Sequence, residues 1–132
     1  MQLRFSVSSS LIAGALGLTL SGSLLAAQDE DFNFDTTEDL YQVCSTPASS
    51  AEAVPAIFAC RAFIEATMQY HDGVSDRKKM ERLVCPPSTA TVGDSRSAFV
   101  AWAKANAADK TLMGEMPVVG VVRALAAKYP CK

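Results

Sequence analysis

The sequence is poor in the residues that usually carry catalysis. It contains a single histidine, His71, among its 132 residues. It has no phosphate-cradling glycine loop and no nucleophile elbow, and no orienting motif accompanies His71. A cysteine–histidine nucleophile would need a free thiol, and we expect all four cysteines to form disulfides. The chain is therefore predicted not to be an enzyme.

The cysteines also lack the short spacings of metal and haem sites. They lie far apart in the sequence, at Cys44, Cys60, Cys85 and Cys131, and no CxxCH motif is present. Structural zinc sites usually hold pairs of ligands only a few residues apart, and c-type haem needs CxxCH. Paired carboxylates such as Glu38 and Asp39 are explained by their place at a helix start. No metal and no cofactor is expected.

Charge and hydropathy give no sign of a nucleic acid or membrane partner. The formal net charge is −2, which does not attract a polyanion or an anionic bilayer. Beyond the N-terminus no apolar run approaches the ~20 residues that span a bilayer. We expect no nucleic acid, and no membrane once the leader is removed.

Residues 1–27 have the pattern of a signal peptide. Arg4 is followed by an uncharged stretch, and Leu25-Ala26-Ala27 offers a small-residue cleavage site. A membrane anchor is the alternative because the uncharged stretch approaches a bilayer span, but its serines and glycines favour cleavage. No cysteine stands at the cleavage site, which argues against a lipoprotein. The prediction is export to the periplasm.

Four cysteines behind such a leader indicate a small domain closed by disulfides. Disulfides persist in oxidising compartments such as the periplasm. Residues 28–35 are acidic and predict a flexible lead-in. Residues 36–132 predict one domain whose modest core benefits from covalent closure.

The first half of this domain predicts two helices. Thr36 and Asp39 form a capping-box pattern, which predicts a helix over residues 37–44. Residues 53–71 carry apolar side chains on two adjoining faces, which predicts a well-buried second helix. Asp72-Gly73 is expected to end it. The apolar positions are Val54, Ile57, Phe58, Phe63, Ile64 and Met68.

The second half predicts two more helices. Residues 76–84 could form a short helix, although basic residues at its start oppose the helix dipole. Thr91 and Asp94 open a helix that runs to about residue 106, and Pro117 suits the first turn of another that reaches about residue 129. The β-branched residues 118–122 leave a strand open as the alternative, but the helical periodicity continues beyond them. The expected stripes are Phe99, Trp102, Ala103 and Asn106 (or a neighbouring face through Val100), and Val118, Val121, Val122, Leu125 and Tyr129.

The predicted architecture is an all-α, disulfide-stapled four-helix domain behind a signal peptide. Four cysteines allow three pairings, and the order of the helices favours one of them. Cys44 and Cys60 lie on helices joined by a short loop, and Cys85 precedes the third helix while Cys131 follows the fourth. We therefore predict the disulfides Cys44–Cys60 and Cys85–Cys131.

One basic cluster is a candidate for partner binding. It consists of Arg77, Lys78, Lys79 and Arg82, and it is either a solvated face or a rim that meets an acidic partner. Residues 45–51 and 71–82 are the candidate surfaces.

Three motifs together resemble the Rap/Tai-type immunity protein family. They are the run of residues 60–66 (CRAFIEA), Cys85-Pro86-Pro87, and residues 117–125 followed by Tyr129-Pro130-Cys131. The resemblance covers residues 40–131. Ala62, Phe63 and Ala66 stand where the family usually has glycine or tyrosine, and these changes are conservative in size.

This resemblance implies a small periplasmic helical protein, often a dimer, that protects against peptidoglycan amidase effectors delivered by type VI secretion. Such a protein binds the effector and occludes its active site. The resembling residues are framework residues, so they leave the contact surface open. The alternatives are an acid-type periplasmic chaperone and an orphan envelope protein of the same fold.

Overall fold

The computed structural model describes residues 29–132, which form five α-helices and one short 3₁₀ helix. The predicted signal peptide, residues 1–27, lies outside the described residues. The 3₁₀ helix is Asp29–Asn33, and the α-helices are α1 Thr37–Ser45, α2 Ala53–Lys78, α3 Val92–Asn106, α4 Lys110–Met113 and α5 Pro117–Lys128. The all-α prediction is confirmed for this range, with α4 as an additional short helix between the two helices predicted in the second half.

Capping boxes start α1 and α3, as predicted. The backbone N–H of Asp39 donates to Thr36 Oγ1 at 3.2 Å, and Thr36 N–H donates back to the Asp39 carboxylate at 2.8 Å. Thr91 and Asp94 repeat the arrangement at α3. Each box satisfies two backbone donors that a helix start otherwise leaves free, so both starts are fixed locally.

Helix α2 is longer than predicted. It continues through Asp72-Gly73 and ends at Lys79, whose φ of 51° and ψ of 38° make it a left-handed cap. Gly73 keeps a helical backbone, and Arg77 Nε donates to its carbonyl at 3.1 Å. A separate helix over residues 76–84 is therefore wrong. Arg77 and Lys78 instead lie in the last turn of α2, where the helix dipole favours cations.

The expected burial of α2 is only half right. Ile64 is buried, but Val54 and Phe58 are 64% and 68% exposed. The domain packs against one face of α2, and small residues on that face let the neighbouring helices approach closely. That buried face is made by Ala53, Ala56, Cys60, Ile64 and Thr67.

Helices α3 and α5 supply the opposite side of the core. Phe99 and Ala103 of α3 are fully buried, as are Val121 and Leu125 of α5 to within 1%. Residues 118–122 are helical, so the strand alternative is wrong. Val118 faces outward and is 42% exposed. The core contains Leu40, Val43, Cys44, Ala56, Cys60, Ile64, Val84, Phe99, Ala103, Met113, Val121, Ala124 and Leu125.

Helix α1 locks against the start of α5. Thr37 is fully buried, and its N–H and Oγ1 both donate to the carbonyl of Glu115, at 2.8 and 3.0 Å. Gly120 lies directly against it, because a Cβ at position 120 would stand 2.5 Å from both Thr37 Oγ1 and Cγ2. Glycine is required here by close approach.

The structure contains the disulfides Cys44–Cys60 and Cys85–Cys131, the pairing predicted from the helix order. Cys85 N–H also donates to the carbonyl of Tyr129 at 2.9 Å. An isolated antiparallel bridge also joins Val84 to Pro130. These bonds hold residues 84–85 against the chain that follows α5.

The predicted lead-in is anchored to the domain. Asp29–Asn33 forms the 3₁₀ helix, and Phe32 and Phe34 pack against the core cluster. The Phe34 ring meets Phe63 edge-on at 5.3 Å, a geometry that aromatic pairs favour. Within residues 29–132, no helix combines the length and apolarity needed to cross a membrane.

Candidate functional site

A stripe of exposed small and apolar side chains runs along the outer face of α2. Residues four apart lie on one face of a helix, and every fourth residue from position 54 is exposed. The α2 stripe consists of Val54, Phe58, Ala62, Ala66 and Tyr70. It extends for ~24 Å at the usual rise of a helix. The structure describes no neighbour that covers it.

The C-terminal end of this stripe opens into an apolar groove. The groove lies between α2, the 79–84 segment and α5, and it encloses about 800 Å³. Its most exposed apolar residues are Tyr70, Met80, Leu83 and Val118, at 74%, 59%, 57% and 42%. Exposed apolar surface of this extent is typical of association sites.

The 79–84 segment forms the outer wall of the groove and is held at both ends. Lys79 turns the chain out of α2, and Met80 N–H donates to the carbonyl of Ser75 at 3.0 Å. At the far end Val84 is fully buried. Met80 and Leu83 are thus presented outward from an anchored segment, so the groove is already formed in the isolated chain.

His71 holds that segment in place at Leu83. Its Nε2 accepts a hydrogen bond from Leu83 N–H at 3.2 Å, and Nδ1 lies 3.0 Å from the Asp72 carboxylate. Nε2 as acceptor leaves the proton on Nδ1, which then donates to Asp72. The side chain is only 10% exposed. His71 therefore lies inside α2, not at its end as predicted, and it positions Leu83.

The basic cluster divides into two parts. Arg82 donates to the Asp76 carboxylate at 2.9 Å and lies 3.9 Å from Asp72. The hydrogen bond to Asp76 and the charges of both carboxylates raise the pKa of Arg82 above its usual value. Arg82 is thus engaged by carboxylates of its own domain. Because these ion pairs are exposed, they contribute little to stability.

The other three cations of the cluster occupy the last turn of α2 and its cap; they do not line the groove, and we call this edge its rim. Arg77, Lys78 and Lys79 are exposed and form no ion pair with any residue of the described chain. They lie between Ser75 and Met80, both of which line the groove. The structure therefore brings the predicted basic cluster next to an apolar site that the sequence did not reveal.

The opposite rim carries a closed ion pair. Arg123 donates to both carboxylate oxygens of Glu115 at 2.8 Å. This hydrogen-bonded charge raises the pKa of Arg123 above its usual value. Glu81 is the remaining carboxylate in the groove lining. Glu81 forms no ion pair with the described residues, so three unpaired cations stand against one unpaired carboxylate and the net unpaired charge around the groove is positive.

The described chain contains little that could perform chemistry. Between residues 29 and 132 no three His, Cys, Asp or Glu side chains come together as a metal site, and all cysteines are in disulfides. In the same range every buried side-chain nitrogen and oxygen has a hydrogen-bond partner. The other candidate surface, residues 45–51, forms a turned loop that does not line the groove.

Comparison with known proteins gives one match. The sequence matches the family described as Rap1a immunity proteins over residues 36–131. The matched region includes all five α-helices, both disulfides and the whole apolar groove. No curated protein and no solved structure matches this chain.

Proposed function

The chain belongs to the Rap1a immunity protein family, and from that premise we propose that it binds a cell-wall amidase effector in the periplasm and occludes its active site. An immunity protein acts by binding a partner effector. The amidase activity of that effector, and its delivery by type VI secretion, are parts of the proposal.

The exposed apolar surface is the observation that supports binding as the activity. A stapled domain with fully bonded buried polar groups has no internal reason to leave Phe58, Tyr70 and Leu83 in water. Exposing them costs solubility, so a partner that covers them is the simplest explanation. Steric occlusion needs only such a surface, so the protein is proposed to have no enzymatic activity of its own.

The predicted signal peptide and the two disulfides support a periplasmic location for the mature protein. Residues 1–27 predict a signal peptide, and both cysteine pairs are oxidised. Structural disulfides are stable in the periplasm and rare in the cytosol. We therefore place the mature protein in the periplasm, where an amidase meets peptidoglycan.

We also propose that the protein forms a homodimer through the part of the α2 stripe that does not line the groove, Val54, Phe58 and Ala62. Ala62 is small and allows two helices to approach closely. Arg61 and Glu65 are exposed beside it, so an antiparallel two-fold arrangement brings opposite charges together, as an isologous interface requires. Phe58→Glu is expected to give a monomer in light scattering, whereas a variant that stays dimeric would contradict this interface.

An inhibition assay tests the proposed function. The reading frames on either side of this gene are sequenced, and the product of a frame with a Cys/His hydrolase pattern is taken as the candidate amidase. The oxidised mature protein is mixed with this candidate, and peptidoglycan hydrolysis is followed. Stoichiometric inhibition is expected. If the amidase neither binds nor slows, the immunity proposal fails for that partner. Suppression of client aggregation at about pH 3, where carboxylates are protonated, would then favour the chaperone alternative.

A further inference from the structure

We propose that the apolar groove receives an amphipathic helix of the effector, one whose apolar face is flanked by acidic side chains. This inference rests on the proposed function and adds the site and the chemistry of the segment that binds there. It gives a role to the three unpaired cations and to the anchored 79–84 segment, which the fold itself does not require.

The dimensions of the groove suit a short helix. Its α2 wall runs from Phe63 to Val74 and its α5 wall from Val118 to Ala126, which correspond to ~17 and ~12 Å of helix. That length accommodates about two to three turns. Two helical walls with a third, non-helical side present the type of groove into which amphipathic helices place their apolar residues.

The apolar lining of the groove favours a ligand that inserts apolar side chains into it. Tyr70, Met80 and Leu83 are each more than half exposed, so burying them releases water from a large apolar area. Methionine adapts to different partner shapes. Because the 79–84 segment is already anchored, it loses little conformational entropy when a ligand binds. This favours affinity.

Charge complementarity identifies the flank of the bound helix. Arg77, Lys78 and Lys79 form no ion pair within the described chain, while Arg82 and Arg123 are engaged by Asp76 and Glu115. The whole protein is slightly negative, with a net charge of −2, so this local positive excess is not a general property of its surface. Acidic side chains on the ligand would meet it, which speeds encounter and fixes orientation.

The first test measures affinity for the amidase from the adjacent reading frame. Leu83→Asp and Val118→Asp each place a carboxylate in the groove, and each is expected to weaken binding about 30-fold or more. Val118 lies in the first turn of α5, where a carboxylate suits the helix dipole, so that variant should fold. Met116→Asp is the matched control, because Met116 is 64% exposed but does not line the groove.

A charge reversal tests the rim separately. Lys78→Glu with Lys79→Glu is expected to weaken binding about tenfold at low salt, and less at high salt because ions screen exposed charges. Lys104→Glu with Lys110→Glu makes the same change in net charge away from the groove, and should leave affinity within about twofold. Equal losses in both double variants would overturn the rim assignment.

A synthetic probe separates this inference from the proposed function. The probe is a fluorescein-labelled amphipathic helix with leucines on one face and glutamates on its flanks, compared with the same peptide carrying lysines. The glutamate peptide is expected to bind at least about tenfold more tightly and to lose binding in Leu83→Asp.

The outcomes are distinct. If the amidase does not bind but the glutamate peptide occupies the groove, the proposed function fails for that amidase, while the groove stands as a site for an acidic amphipathic helix. If the amidase binds equally to wild type and both aspartate variants, or if both peptides bind equally, the inference is wrong. If Leu83→Asp or Val118→Asp converts a dimer to a monomer, the occupant is a second copy of this chain, which also overturns it.

Discussion

The contact between Gly120 and Thr37 predicts that an added methyl group at position 120 destabilises the domain, and it predicts the size of the loss. A Cβ on residue 120 would stand 2.5 Å from Thr37 Oγ1 and Cγ2 and 3.0 Å from its Cβ. Because the Cβ itself is close, rotation of the threonine side chain cannot relieve the overlap. The two helices would have to separate by about 1 Å, and overpacking of this kind typically costs ~1–3 kcal/mol.

Helix propensity partly offsets that cost. Alanine is favoured over glycine inside a helix by about 1 kcal/mol. Contacts of 2.5 Å with two atoms belong to the upper part of that overpacking range, ~2–3 kcal/mol. Gly120→Ala should therefore lower the free energy of unfolding by roughly 1–2 kcal/mol, and the melting temperature by about 4–16 °C.

Gly73→Ala is the matched control in another helix. The added Cβ would lie 3.6 Å from an Arg77 nitrogen, an ordinary contact, and Gly73 has a helical φ. This substitution should raise the free energy of unfolding by ~0.5–1 kcal/mol. Urea unfolding of the oxidised protein measures both. A Gly120→Ala protein as stable as Gly73→Ala would refute the close packing of α1 on α5.

Three further predictions concern the staple, a cap and the wall of the groove. Replacing Cys85 and Cys131 by serines should cost about 4 kcal/mol in urea unfolding, because their disulfide closes a 46-residue separation; a loss below about 1 kcal/mol would contradict this. The bonds from the threonine cap lower the pKa of Asp94 below its ordinary 3.8, so the stability it confers is complete above pH 3.8 and disappears as the pH falls through the lower folded value. Asp94→Asn should consequently destabilise at pH 7, and this loss should shrink progressively as the pH is lowered below 3.8, as checked by melting across that range. His71→Ala removes the acceptor of Leu83 N–H, so exchange of that amide should accelerate while the core amides stay protected; an unchanged rate would contradict the clamp.

Local signals explain what was predictable from the sequence. The capping boxes at Thr36 and Thr91 and the proline at Pro117 act within one turn of chain, so they placed three helix starts correctly. The helix order then brought the correct cysteines together, because antiparallel neighbours place the end of one helix beside the start of the next.

Tertiary context explains what was missed. Asp72-Gly73 looks like a helix stop, but α2 continues because glycine tolerates a helical backbone and His71 is held by the hydrogen bond from Leu83 N–H. Apolar side chains occupy two faces of α2, but only one of these faces is buried. Periodicity alone does not distinguish a face that packs in the core from one that is exposed to a partner.

The groove itself could not be predicted from sequence. Its lining comes from residues 63–83 and 118–126, which are distant in the chain and meet only through packing around the core. The basic cluster was visible as a charge run. Its division into a paired Arg82 and three free cations depends on the positions of Asp72 and Asp76 in space.

Hydrogen exchange with and without the amidase tests the central claim most directly, because it maps the bound surface without mutation. Binding should slow exchange in residues 66–83 and 118–126, with residues 45–51 unchanged. Protection confined to residues 45–51, or to the α3 face, would contradict the groove as the surface that binds the effector.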